Sequence, residues 1–325
     1  MPSSLAEKVL RREPGAIARL ISLVEDGNPA AREPFAAIYP HGGRAYVVGI
    51  TGAPGSGKST LVDGLLTIIR SQDHTAAVLA VDPSSPHGGG AILGDRVRMQ
   101  RHAQDPGIFI RSMSARGSLG GLALATRQAM HILDAAGFQY IILETVGVGQ
   151  SELAVSATAD TTVVVVTPAM GDAIQTLKAG ILEIADLFAL NKADQPGARQ
   201  ALQALRAMLH RLPAAPWDIP IVETEAHRGA GLPGLWERIL AHRSFQEISG
   251  GLAARRADQA GNEVRGLVEH GLRTEVLRAL TGNQTFQVLV SEVAARRQDP
   301  LRAADQILAE AARLIPSSER EPNHG

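Results

Sequence analysis

Short apolar, β-branched runs alternate with amphipathic segments through the middle of the chain. Runs at 45–51, 76–82, 108–111, 140–144, 162–167, 186–190 and 219–223 predict strands. Helical periodicity fills most of the gaps, at 58–71, 122–136, 172–185, 196–211 and 233–247. Val163, Val164, Val165 and Val166 leave one strand without a polar face, which suits a parallel strand covered on both sides. This alternation predicts an α/β fold with a mostly parallel, doubly wound sheet.

The two ends read differently. Residues 1–44 predict an N-terminal helical extension: Ser4 and Glu7 have capping-box spacing, and an apolar stripe over 15–25 stops at Gly27-Asn28-Pro29. After Ser249-Gly250-Gly251 the β signal ends. Val264, Val268, Leu272, Val276 and Leu280 then recur every fourth residue on one helical face. A second helix is expected over 284–297. A third starts with Asp299 as N-cap and Pro300 at the first helical position, and ends near Pro316. The expected division is an extension over 1–44, an α/β domain over 45–248, a helical arm over 249–316 and a disordered tail over 317–325.

Composition removes several classes of function. Of 325 residues, 45% are hydrophobic, enough for sizeable cores, and 32 basic residues nearly cancel 33 acidic ones. That balance speaks against a polybasic nucleic-acid binder or an electrostatic membrane binder, so neither partner is expected. With no Cys there is no disulfide, thiolate metal site, iron–sulfur cluster or cysteine nucleophile. No uncharged stretch exceeds 13 residues, too short for a membrane-spanning helix. The opening MPSSLAEKVLRREPG lacks an apolar signal core and carries Glu7 and Glu13, so a cytoplasmic location is expected. Only four of the basic residues are Lys, at 8, 58, 178 and 192, and two of those fall in the motifs below.

The strongest motif is Gly52-Ala53-Pro54-Gly55-Ser56-Gly57-Lys58-Ser59, followed by Thr60, between a predicted strand and a predicted helix. This is the context of a P-loop, whose backbone N–H groups curl around phosphates while the helix N-terminus adds its dipole. Lys58 is expected to reach the β- and γ-phosphates and Ser59 to bind Mg²⁺. A second motif, Asn191-Lys192-Ala193-Asp194, follows a later strand. There the Asp194 carboxylate would accept from guanine N1–H and the 2-amino group, Lys192 would lie along the purine, and Asn191 would brace the loop. Three acidic residues are candidates for the Mg²⁺ and attacking-water positions: Asp82, Asp95 and Glu144. A cation that bridges phosphates takes few direct carboxylates and keeps waters, so which of the three does which is left open. Asp95 also fits a helix N-cap, and Asp82 or Glu144 a surface position at a strand end.

Taken in order, GAPGSGKST, DPSSPHGGGAILGDRVRM, IRSMSARGSLGG, ETVGVGQSE, PAMGDAIQTLKAGILEIAD and NKAD resemble the methylmalonyl-CoA mutase-associated GTPase family. Its members were long labelled arginine/ornithine transport-system kinases. The resemblance spans roughly residues 1–315 and is densest between Val47 and Asp194. It implies a P-loop G domain with N-terminal helices and a C-terminal helical dimerisation arm. It implies GTP and GDP with Mg²⁺ as cofactors, hydrolysis to GDP and phosphate, and self-association. It also implies a chaperone role toward an adenosylcobalamin-dependent acyl-CoA mutase. Two loops depart from the family pattern. His87-Gly88-Gly89-Gly90 stands where a Thr is usual, and Glu225-Ala226-His227 replaces Ser-Ala-Leu in the last base-contact loop, where Ala226 N–H would meet guanine O6.

Two other functions remain as alternatives. A nickel-delivery GTPase would want clustered Cys or His, which this sequence lacks. A small-molecule kinase would more often use ATP, against NKAD, and no acceptor-binding signature is visible. The ten His are scattered and read as structural or surface residues, and Trp217 and Trp236 as packing. Gln150, six residues past Glu144, invites comparison with a water-orienting Gln, and fits a switch-loop or partner contact equally well.

Overall fold

The structure, a computed structural model, describes residues 4–82, 100–102, 104–114, 119–145, 155–170, 179–213, 215–280 and 284–314. Asp95, Gln150, the 87–90 loop and the tail lie outside the described residues.

Three short helices open the chain: α1 (Leu5–Leu10), α2 (Pro14–Glu25) and α3 (Arg32–Ile38). The Ser4–Glu7 capping box forms in both directions. A seven-stranded sheet follows, built of β1 (Tyr46–Gly52), β2 (Ala76–Asp82), β3 (Ile108–Ser114), β4 (Tyr140–Thr145), β5 (Thr161–Val166), β6 (Leu187–Asn191) and β7 (Ile221–Thr224). Its order is β3-β2-β4-β1-β5-β6-β7 and every pairing is parallel. The connecting helices are α4 (Lys58–Ser71), α5 (Leu119–Ala135), α6 (Ala179–Ile184), α7 (Ala198–Leu209) and α8 (Leu232–Ser249). Each expected strand is present to within a few residues at its ends. Of the helix expected over 172–185, only Ala179–Ile184 lies among the described residues.

Side-chain alternation assigns the two faces. Tyr46, Val48 and Ile50 of β1 pack with α4 and α8, while Val47 points to the opposite layer. That opposite layer is built by α1, α2 and α5 over Ala77, Leu79, Ile141 and Leu143. The N-terminal helices therefore cover one face of the sheet, and their apolar stripes are part of the main core. A smaller cluster seats α7 on Val164, Val166, Phe188 and Leu190.

Three helices end the described chain: α9 (Gly251–Leu280), α10 (Gln284–Ala294) and α11 (Pro300–Leu314). Gly250, at φ 73°, ends α8 in the left-handed conformation, and α9 begins one residue later. The chain forms two compact units, Met1–Gly261 and Asn262–Gly325, so the first turns of α9 belong to the larger one. There Arg255 makes a bidentate pair with Asp186 at 2.9 Å on both arms. Arg256 grips Asp160 at 2.7 and 3.0 Å and also donates to the carbonyl of Ala45 at 2.7 Å.

Candidate functional site

β1 sits where strand connections run off in both directions, between β4 and β5. In an open α/β sheet the crevice at the carboxyl end of such a switch point is where ligands bind. The 52–59 segment begins there. Gly52, at φ 141°, lies so close to β5 that a Cβ would meet the Val165 carbonyl oxygen at 2.2 Å. Gly57 caps α4 in the left-handed conformation and leaves its first N–H groups without a side-chain cap. A Cβ at Gly57 would meet Asn191 Nδ2 at 2.4 Å. Both glycines are thus demanded by packing as well as by backbone conformation.

The loop is folded around its lysine. Lys58 is buried and its Nζ donates to the carbonyls of Gly52 at 2.8 Å and Ala53 at 3.0 Å. Pro54 and Gly55 form the exposed rim, with Ala53 and Thr60 half-buried beside it. Register places Glu144 opposite Ile50, so it projects from the end of β4 beside the root of this loop. Its Oε1 accepts from Ser59 Oγ at 2.5 Å, and Glu144 is only 4% exposed. Glu144 is therefore no surface residue at a strand end. Asp82 closes β2, two positions beyond the residue paired with Glu144, at the same edge of the sheet.

Asn191 is the junction of the site. Its Nδ2 donates to the Ser56 carbonyl at 2.8 Å, and its Oδ1 accepts from Thr224 Oγ1 at 3.2 Å and from Ala226 N–H at 3.1 Å. One buried amide thus ties the loop after β1 to the loops after β6 and β7, with its hydrogen-bonding groups satisfied on both sides. Lys192, at φ 59°, reaches across to donate to the Gly55 carbonyl at 2.8 Å. Asp194 is exposed and stands against Glu225 and His227. The Ala226 N–H, expected to face guanine O6, donates to Asn191 here, a bond it would have to share or exchange. Thr224 escaped notice in the sequence; a Thr directly before the last loop was the available signal.

Trp236 and Trp217 are packing residues. Trp236 is buried edge-on to Tyr140, with Nε1 donating to Gln72 Oε1 at 3.1 Å. Trp217 donates to the Asp186 carbonyl at 2.9 Å.

The family model for "Methylmalonyl Co-A mutase-associated GTPase MeaB" matches residues 17–281. A Pyrococcus abyssi protein named as a GTPase is 46% identical, with 95% of this chain and 97% of the relative covered. GTPase ArgK of Escherichia coli is 33% identical over 87% of this chain and 88% of its own length. The crystal structure of a protein called LAO/AO transport system kinase superposes with a TM-score of 0.70 at 26% identity. It covers 95% of this chain and 96% of its own. With the loops after β1, β6 and β7 joined as described, the chain is a P-loop GTPase and belongs to the methylmalonyl-CoA mutase-associated MeaB family.

Proposed function

We propose that this GTPase hydrolyses GTP to GDP and phosphate with Mg²⁺ and reports its nucleotide state to an adenosylcobalamin-dependent acyl-CoA mutase, gating loading or protection of the mutase's cofactor. The observation that carries the guanine half is the Asn191 junction, which makes base loop and phosphate loop one body. The mutase half rests on the family itself.

In this reading the N–H groups at the start of α4 and Lys58 bind the phosphates, and Asp194 reads the base. Ser59 and Glu144 bring only oxygen donors together, the set that Mg²⁺ prefers, and Asp82 and Asp95 are further carboxylates for it or for the attacking water. A Mg²⁺ ion held by these residues would supply positive charge to offset that developing on the phosphate oxygens. Lys58 would exchange its carbonyl acceptors for phosphate oxygens, and Glu144 would release Ser59 or orient water. Positioning does most of the work in phosphoryl transfer, so turnover without a partner is slow.

The smaller unit supports self-association. Val264, Val268 and Leu272 of the fourfold stripe are more than half exposed, and a second copy is the occupant that the same sequence would supply. The kinase in the name of the superposed structure is said of that protein; NKAD favours guanine.

Titrating an adenosylcobalamin-dependent acyl-CoA mutase into a GTPase assay tests the reading. Stimulated hydrolysis and a complex that depends on nucleotide are expected, and Gln150→Ala should retain GTP binding while stimulation falls. Absence of stimulation, of such a complex and of any effect on cobalamin transfer would overturn the mutase half.

A further inference from the structure

Asp194, Glu225 and His227 converge at the loops after β6 and β7. Their candidate ligand atoms all lie within 4.8 Å of one another. They come from two loops, one after β6 and one after β7, and neither could present the set alone. The loops and the strand ends before them are joined three times: Ala193 N–H donates to the Thr224 carbonyl at 3.1 Å, and Thr224 Oγ1 and Ala226 N–H donate to Asn191 Oδ1 at 3.2 and 3.1 Å. The three backbones are held by bonds that no ligand has to make.

The donor chemistry is specific. Two carboxylates side by side repel each other, and a cation between them removes that repulsion. First-row ions hold oxygen and nitrogen donors at about 2.0–2.2 Å, so donors on one ion stand at most about 4.4 Å apart. A set already inside 4.8 Å closes by rotation of side chains, two of which are exposed. The imidazole sets the class, because neutral nitrogen suits Zn²⁺, Co²⁺ or Ni²⁺, whereas Mg²⁺ and Ca²⁺ choose oxygen. Arg228, paired with Glu225 at 3.3 Å, is itself exposed and free to swing into solvent. Both Glu225 and His227 belong to the loop that departs from the Ser-Ala-Leu pattern.

We propose that Asp194, Glu225 and His227 bind one divalent first-row transition ion with the chemistry of Zn²⁺, and that ion and guanine exclude each other because both use the Asp194 carboxylate. The exclusion rests on the assignment of Asp194 to the base; the ion site does not. Such a site would make nucleotide loading sensitive to transition-metal concentration at constant Mg²⁺.

The test uses the full chain, stripped of nucleotide and metal. Zn²⁺ should bind one per chain by calorimetry, and Co²⁺ should give a visible d–d band. His227→Ala and Glu225→Gln should each weaken the ion at least tenfold, and saturating GDP with Mg²⁺ should weaken it likewise. No zinc heat and no cobalt band overturn the site, even where GTP is still distinguished from ATP and the base assignment stands. Zinc affinity unchanged in both variants places the ion elsewhere and also overturns it. Zinc bound through His227 and Glu225 but indifferent to GDP takes Asp194 out of the ion's ligands and overturns the exclusion; the assignment of Asp194 to guanine is judged separately, by the GTP-over-ATP preference of Asp194→Asn.

Discussion

The two compact units of this chain bury their apolar residues to very different degrees. In Met1–Gly261 the sheet is sandwiched by helices on both faces, and Ile17, Ile50, Leu65, Phe188 and Trp236 are all nearly inaccessible. In Asn262–Gly325 the described buried cluster is Leu289, Ala303 and Ile307, with Leu280 and Val293 around it. Val264, Val268, Leu272 and Leu301 of the same unit are 52–79% exposed. Apolar area left in water is worth roughly 25 cal/mol per Å² to any surface that covers it. The larger unit thus buries its own apolar residues and carries both sequence motifs, whereas the smaller one leaves an apolar stripe in water, which is the basis of the proposed self-association.

If that division holds, the largest effect belongs to Lys58. Lys58→Ala should lower GTP turnover by at least ~10³, since nearly all of this catalysis is positioning and charge. Light scattering should give the same mass for variant and wild type; a changed assembly state would tie the two units together. Next comes Asp194→Asn. A preference for GTP over ATP of at least ~10³ should collapse, because the guanine N1–H and 2-amino donors would lose their shared acceptor. Calorimetry with GDP, ADP and the xanthine nucleotide checks this, the last gaining affinity.

The boundary gives a smaller effect that can place the division more finely. A chain ending at Gly261 should bind GDP and be monomeric, whereas one ending at Gly250 loses Arg255 and Arg256 and should be markedly less stable. Arg256→Ala alone leaves Asp160, 1% exposed, with the Val47 N–H at 2.8 Å from its Oδ2 as the remaining carboxylate partner among the described residues. Because Arg256 is partly open to solvent, the loss should be about 2 kcal/mol by urea unfolding, below the cost of a wholly buried pair.

The smallest effect is one of pH. Burial holds the His242 imidazole below its ordinary pKa; neighbouring Asp186 opposes that shift, and Arg255 adds to it. Its Nδ1 lies 2.7 Å from Thr161 Oγ1. The folded chain keeps His242 neutral, so as pH falls below about 6.5 the unfolded chain takes up the proton first and stability drops. His242→Gln should flatten that part of the profile, measured as the urea midpoint at pH 7.5 and 5.5. An equal slope in both proteins would exclude His242 as the source.

Much of the candidate site's backbone was legible because its parts are local. The 52–59 segment, the helix it opens and the Gly57 cap are all spelled by near neighbours, and the helix was found where periodicity placed it, Lys58–Ser71. NKAD likewise follows a strand whose bounds could be read directly. The Arg255 and Arg256 clamps could not be read this way. They lie just past Gly250-Gly251, where the pattern changes from strands to helices and the sequence reading places a domain boundary, yet their partners are 69 and 96 residues away.

Side-chain periodicity depends on residues a few positions apart, so the sequence alone determined the seven strands, most helices and the places of both motifs at strand ends. Sheet order depends on which strands meet after the chain has crossed over, and no short window carries that information. Only the fold put Asn191 against Ser56 across 135 residues, Ser59 against Glu144 across 85, and Asp194 beside Glu225 and His227. These contacts arise because parallel strands collect their carboxyl-end loops at one edge, so residues far apart in the chain become neighbours there.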